Sequence, residues 1–295
     1  MRSSFFPRKS INMSYSPLFS AKELLSQGDR TFSYLDTSVL LPDQKGDLEA
    51  DFASARLPGA RRFVLDHFSD NATALPHMVP SAGEFSQALT ALGIGNDDVI
   101  VVYDRQGSVG ACRAWWMLRL FGHERIHILD GGLEAYRKEG GALVSGAPQT
   151  PSPAIQPYRT HPHYTMLAGL GDVETALGQD EFRILDARSP ARFRGETPEP
   201  RPGVRGGHMP GAVNLPYADL VDADGLFFSK EALRHRFAQA EAEAVERRVI
   251  TSCGSGLTAA TLTVGLAVAG LPIGQLYDGS WAEWGADLST PVVTG

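Results

Sequence analysis

Cysteine is almost missing from this chain: its 295 residues include only Cys112 and Cys253. Two thiols cannot build a disulfide framework or a structural zinc site. The expectation is a cytoplasmic protein with reduced thiols, no metal and no cofactor. Long apolar runs are missing too. The most apolar stretch, Leu257 to Leu271, is broken by Gly265 and Gly270 and is too short to cross a bilayer, so no membrane partner is expected. Surplus positive charge is also absent. Against 34 Asp and Glu stand 27 Lys and Arg, a net charge of -7, which argues against nucleic acid because phosphate binding needs a basic face. What remains is the composition of a globular protein, 43% hydrophobic and 21% charged, long enough for two domains at roughly 150 residues each.

The first residues, MRSSFFPRKSINMSYSPL, carry Arg2, Arg8 and Lys9 and no acid. They read as a flexible tail over 1–16; an organelle-targeting segment and a later start at Met13 are the alternatives. After them the chain repeats once. YLDTSV (34–39) resembles ILDARS (184–189), and RLPGA (56–60) resembles HMPGA (208–212). VIVVYD (99–104) resembles RRVITS (247–252), and ILDGGLEAY (128–136) resembles LYDGSWAEW (276–284). The near-constant offset, 148 for Asp130 against Asp278, means two copies of one domain. Between them SGAPQTPSPAIQPYRTHPHY (145–164) is rich in proline and reads as an extended surface linker. The expected organisation is one domain over 17–144, a linker over 145–165 and a second domain over 166–295.

Within each copy short apolar runs alternate with helical patterns, which implies βα units around a mostly parallel sheet, an α/β fold. In the second copy VERRVITS is a strand, and LTAATLTVGLAVAG is a helix ended by Gly270 and Pro272. Cys253 lies between them, at the carboxyl end of a strand, where such sheets bind ligands.

The loop is Cys253-Gly254-Ser255-Gly256-Leu257-Thr258. Its glycines allow a sharp turn whose N–H groups can form an anion-binding nest, and the following helix adds its positive end. A thiolate is expected to be favoured there and to be the reactive species. No charged residue lies between Thr251 and Leu276, so backbone dipoles must supply the field. A small buried hydrophobe is the alternative for Cys253 and the preferred reading for Cys112. A phosphate loop is disfavoured because no Gly-Lys-Ser/Thr ending follows. At an offset of 148, Arg105 stands opposite Cys253, leaving the first copy without a nucleophile.

The repeat, GHMPGA (207–212), DARS (186–189), RFRGETPEPR (192–201) and CGSGLTAA (253–260) together resemble the tandem-domain sulfurtransferases of the rhodanese superfamily, most closely the 3-mercaptopyruvate sulfurtransferases. The resemblance covers residue 17 to the end. It implies a parallel five-stranded sheet flanked by helices in each domain, an inactive first copy and an active site at the domain interface. It implies that Arg192 and Arg201 clamp the donor's carboxylate and keto oxygen, and that Ser255, His77 and Asp66 form a proton relay. His67 and Asp70 are nearby competitors for the relay. Arg188 and Arg194 are expected to pair structurally, His208 to be structural, and His161 and His163 to lie in the linker.

A neutral loop suits a donor whose charge sits on a carboxylate remote from the sulfur, because guanidinium forks can grip that carboxylate. Thiosulfate, a compact dianion, benefits from cations beside the sulfur. The expected reaction passes sulfur from 3-mercaptopyruvate through a Cys253 persulfide, held by amides from Gly254, Gly256, Leu257 and Thr258, and releases pyruvate. The expected acceptors are a small thiol, a thioredoxin-like protein or cyanide. The alternatives are a thiosulfate:cyanide sulfurtransferase and a non-catalytic regulatory module.

Overall fold

The computed structural model describes residues 16–28, 30–42, 44–105, 108–243 and 247–295. The expected tail over 1–16 thus falls, but for Ser16, outside the described residues, as do Gln106 and Gly107 beside Arg105. Two five-stranded sheets follow one another. The first holds β1 (Leu18–Phe19), β2 (Ser33–Asp36), β3 (Arg61–Arg62), β4 (Ile100–Tyr103) and β5 (Ile126–Leu129), in the order β1-β5-β4-β2-β3. The second holds β6 (Leu167–Ala168), β7 (Phe182–Asp186), β8 (Val213–Asn214), β9 (Arg248–Ser252) and β10 (Gln275–Tyr277), in the order β6-β10-β9-β7-β8. All pairings are parallel and the two topologies are the same. The central strands read as continuous apolar runs, Ile-Val-Val-Tyr in β4 and Val-Ile-Thr in β9, because helices cover both faces.

The helices of the first half are α1 (Ala21–Leu25), α2 (Leu48–Ser54), α3 (Ala82–Ala91), α4 (Val109–Leu120) and α5 (Gly132–Lys138). Those of the second are α6 (Leu170–Ala176), α7 (Pro190–Phe193), α8 (Lys230–Gln239), α9 (Ala259–Ala269) and α10 (Ser280–Trp284). Ser20 with Glu23 and Ser81 with Glu84 form capping boxes that start α1 and α3. α9 ends at Gly270, which takes the left-handed conformation the sequence predicts for a helix stop.

α4 and α9 each follow a central strand and pack against each other across the seam. They are apolar on nearly every side, as fully buried helices are. One continuous core therefore runs through both halves, joining Trp115, Trp116 and Leu118 to Leu262, Val264 and Leu266. At about 1.5–3 kcal/mol for each large side chain buried, this seam holds the halves as one body.

The proline-rich segment has no strand or helix of its own before Tyr164, as its composition predicts, yet it does not hang free. Ala154 N–H donates to the Thr90 carbonyl, and His161 and His163 N–H to those of Phe121 and Leu120. Tyr158 is buried, and its hydroxyl meets His123 Nδ1 at 2.8 Å. The segment straps itself to α3 and the end of α4.

Candidate active site

β9 delivers Cys253 to the seam, and α10 fixes the loop that follows. The carbonyls of Cys253 and Gly254 accept from the N–H groups of Trp281 and Ala282, both at 2.9 Å. Ser280 Oγ donates to the Tyr277 carbonyl at 2.7 Å and accepts from Cys253 N–H at 3.2 Å and Gly256 N–H at 3.0 Å. Gly256 has φ +73°, and a Cβ there would stand 2.9 Å from the Asp278 carbonyl oxygen, so only glycine fits. Its N–H is taken by Ser280 and its carbonyl by Arg113. The expectation that Gly256 holds substrate is therefore corrected: it shapes the loop. Among the described residues, the N–H groups of Gly254, Ser255, Leu257 and Thr258 find no protein acceptor. These four residues and Cys253 line one cleft of about 260 Å³.

The first half closes the same cleft with Leu40, Leu41, Pro42 and His77. His77 is presented by a loop closed by Asp70 N–H on the Met78 carbonyl, and it takes a left-handed backbone with φ 60°. Its Nδ1 lies 3.2 Å from Ser255 Oγ. Burial, then the positive charges of Arg113 and Arg201, push its pKa below the usual histidine value. It is neutral near pH 7 and able to accept a proton. Arg113 of α4 locks this arrangement. It donates to the His77 carbonyl at 2.5 Å, to the Gly256 carbonyl at 3.3 Å and to Asp278 Oδ1 at 2.7 Å. Asp278 Oδ2 in turn accepts from Val79 N–H at 2.7 Å.

Asp66 is exposed and its carboxylate makes no hydrogen bond to His77 among the described residues. It acts on the imidazole only through its charge. The expected three-membered hydrogen-bonded relay is thus two-membered here, and the His77 main chain is fixed by Arg113 instead. His67 is exposed, and Asp70 caps its own turn through Ala72 N–H.

Arg192 and Arg201 both line the cleft. Arg201 has no carboxylate or hydrogen-bond partner among the described residues, and burial followed by repulsion from Arg192 lowers its pKa. Arg192 is held by Glu199, with Nη2 to Oε2 at 2.5 Å. Arg188 pairs with Asp186 and Glu199, and Arg194 with Glu196, as structural arginines should. His208 stacks on Phe193 and gives Nδ1 to its carbonyl at 2.8 Å, a structural role. His161 and His163 lie in the strap, away from the cleft. Cys112 is fully buried in α4, and burial pushes its thiol up, away from reactivity.

Sequence reasoning missed Arg113, Asp278, Ser280 and Glu199. The signals were present: an arginine inside the apolar run ACRAWWML, and an Asp-Gly-Ser turn in the repeated motif. The expected alignment of Arg105 with Cys253 is also corrected, by one residue. β2 pairs Asp36 with Tyr103, and β7 pairs Asp186 with Ser252. Likewise Leu133 N–H bonds the Asp104 carbonyl as Trp281 N–H bonds that of Cys253. Asp104 is the counterpart of Cys253, and Arg105 turns away to the carbonyls of Asp51 and Ala55. The apolar runs allowed either register; only the ladder decides it.

Two roomier grooves, about 630 Å³ and 510 Å³, lie elsewhere, and neither is lined by a cysteine. Fold and site together define a tandem α/β protein with one thiol set at the seam of two like domains. The Rhodanese-like domain family matches residues 21–139 and again 170–287, and the chain belongs to that family. It is 37% identical over 252 residues to the human 3-mercaptopyruvate sulfurtransferase, spanning 85% of this chain and 84% of that protein. It is 37% identical over 278 residues to the mitochondrial thiosulfate/3-mercaptopyruvate sulfurtransferase 1 of Arabidopsis thaliana, spanning 88% of this chain and 73% of that one. Among solved structures it resembles SseA of Escherichia coli, a 3-mercaptopyruvate sulfotransferase, with TM-score 0.80, 32% identity and coverage of 90% and 99%.

Proposed function

We propose that this chain is a 3-mercaptopyruvate sulfurtransferase whose nucleophile is Cys253. The observation that carries the reading is the cleft itself, where a thiol, four loop residues with unpaired N–H groups and the unpartnered Arg201 guanidinium meet. The Cys253 thiolate attacks the donor sulfur and an S–S bond forms. The donor's C–S bond breaks, and its electron pair becomes the enolate of pyruvate. The proton that began on the donor thiol ends on that carbon, passed through Ser255 Oγ and neutral His77, with the charge of Asp66 steadying the imidazolium. An acceptor thiolate or cyanide then takes the outer sulfur and restores Cys253. Arg201 and the free edge of Arg192 grip the carboxylate and keto oxygen, and the N–H groups of Gly254, Ser255, Leu257 and Thr258 stabilise the charged sulfur.

The same reading places the boundaries at 17–144 and 166–295, with the strap between them, and the protein in the cytoplasm. The acceptor is a thioredoxin-like protein, a small thiol or cyanide. Two measurements test it. Incubation with 3-mercaptopyruvate should add the mass of one sulfur atom to the Cys253 peptide, and kcat/KM should favour 3-mercaptopyruvate over thiosulfate. A strong preference for thiosulfate would reverse the choice of donor. No added sulfur with either donor would leave a non-catalytic module.

A further inference from the structure

Three arginines and two acids from DARS and RFRGETPEPR form one cluster behind the cleft. Arg188 is fully buried, and its Nη2 meets Asp186 Oδ2 at 2.7 Å and the Gly207 carbonyl at 2.8 Å. Its guanidinium lies over Trp281 at 4.3 Å. Asp186 and Arg188 thus cancel within a rigid pair. Glu199, with its side chain only 3% exposed, takes Arg188 Nη1 at 2.9 Å and both Nε and Nη2 of Arg192. Arg201 has no ion-pair or hydrogen-bond partner among the described residues and feels Glu199 only through its charge. The two guanidinium groups that line the cleft and the one carboxylate buried behind Arg192 therefore sum to a single net positive charge beside the Cys253 loop. Glu199 also seats Arg192 against the loop, where a Cβ on Gly254 would come within 3.0 Å of Arg192 Nη2.

We propose that Glu199 is a specificity-determining residue that sets the charge of the cleft for a singly charged donor and holds Arg192 flat over Gly254. The proposal rests on the reading of this cleft as the donor site. Coulomb energy is linear in ligand charge, so a buried anion beside the cleft opposes a dianion twice as strongly as a monoanion. With Glu199 ionised, a ketoacid monoanion meets one matching charge, whereas thiosulfate meets one charge too few. Removing the negative charge should therefore favour the dianion, and the ratio between donors, rather than either rate alone, carries the effect.

The test compares kcat/KM for 3-mercaptopyruvate and thiosulfate in the wild type, Glu199→Gln, Glu199→Met and Glu199→Asp, each checked for native unfolding behaviour. Two charge-free variants are made so that at least one folded form is in hand. The expected result is a rise of roughly 5- to 50-fold in the thiosulfate to 3-mercaptopyruvate ratio in the charge-free forms, mainly through KM and weaker at high salt. Glu199→Asp keeps the charge, so it should slow both donors and leave the ratio near the wild type. Adding Arg192→Gln to Glu199→Gln restores one net charge and should bring the ratio back down. An unchanged or falling ratio in a folded charge-free variant overturns the proposal. A wild type inactive on both donors would overturn the functional reading instead, so the two failures are distinguishable.

Discussion

The same loop stands at the end of the central strand in both halves, and the two have opposite fates. In the second half the position holds Cys253, and the loop opens onto a cleft with unpaired N–H groups. In the first half it holds Asp104, whose carboxylate accepts from Thr37 Oγ1 at 3.0 Å and from Gly110 N–H at 2.8 Å. Burial pushes its pKa up to about 7. A hollow of about 510 Å³ survives beside it, lined by Ser38, Asp104 and Arg105. The first half kept the pocket and turned its polar groups inward on each other. Among the described residues, Arg105 N–H of the first loop is taken by Ser38 Oγ at 3.0 Å, whereas the N–H groups of Gly254 and Ser255 in the second have no protein acceptor.

A second pair of equivalents sharpens the contrast. Val79 N–H bonds Asp278, and Phe227 N–H bonds Asp130 at 3.0 Å, so each half reaches across to the same aspartate of the other. Arg113 neutralises Asp278. Asp130 has no cation within ion-pair distance among the described residues, and burial raises its pKa to about 6. The approximate twofold symmetry of the seam is thus broken by one arginine, and the broken side is the one that carries Cys253.

The largest expected effect separates the two loops by activity. Cys253→Ser should lower sulfur transfer by roughly 10³-fold or more, as loss of a nucleophile does. Asp104→Asn should leave it within about twofold, since Asp104 does not line the Cys253 cleft and its carboxylate bonds only to Thr37, Gly110 and their neighbours in the first half. Comparable losses in steady-state assays would erase the division of labour. Next is stability at the seam. Asp278→Asn strands a buried Arg113 and should cost about 3–5 kcal/mol in denaturant unfolding. Asp130→Asn keeps an acceptor for Phe227 N–H and should cost less than about 1 kcal/mol at pH 7 or add stability. Equal losses would restore the symmetry. The smallest effect, taken per pH unit, is the pH dependence of the first loop. A carboxyl raised from near 4 to about 7 in the folded protein contributes stability that is full below pH 4 and is lost as pH rises through 7. Against Asp104→Asn, the wild type should lose roughly 1 kcal/mol per pH unit across that window, read from unfolding curves. Parallel pH profiles would show that Asp104 is already ionised.

The two copies, the parallel sheets and the Cys253 loop were legible because each leaves a local trace: repeated strings, apolar strands, glycines before a helix. Arg192 and Arg201 were legible through their motif. Arg113 was not, because its meaning lies in partners at positions 77, 256 and 278, which no local pattern connects. Asp104 was hidden by a one-residue slip that apolar strands do not penalise. Gly256 was placed on the right loop with the wrong task, since the use of its N–H depends on Ser280, 24 residues away in the chain.

Arg113 has a mechanical consequence. One side chain of the first half ties together the turn carrying His77, the Cys253 loop and the Asp278 turn. The halves behave like two jaws pinned at the bite rather than at the handle. Loss of that pin would free the turn carrying His77 from the Cys253 loop while the core between α4 and α9 still held the halves together. On the proposed reading, the first half is therefore as necessary to the chemistry as the half that carries the thiol.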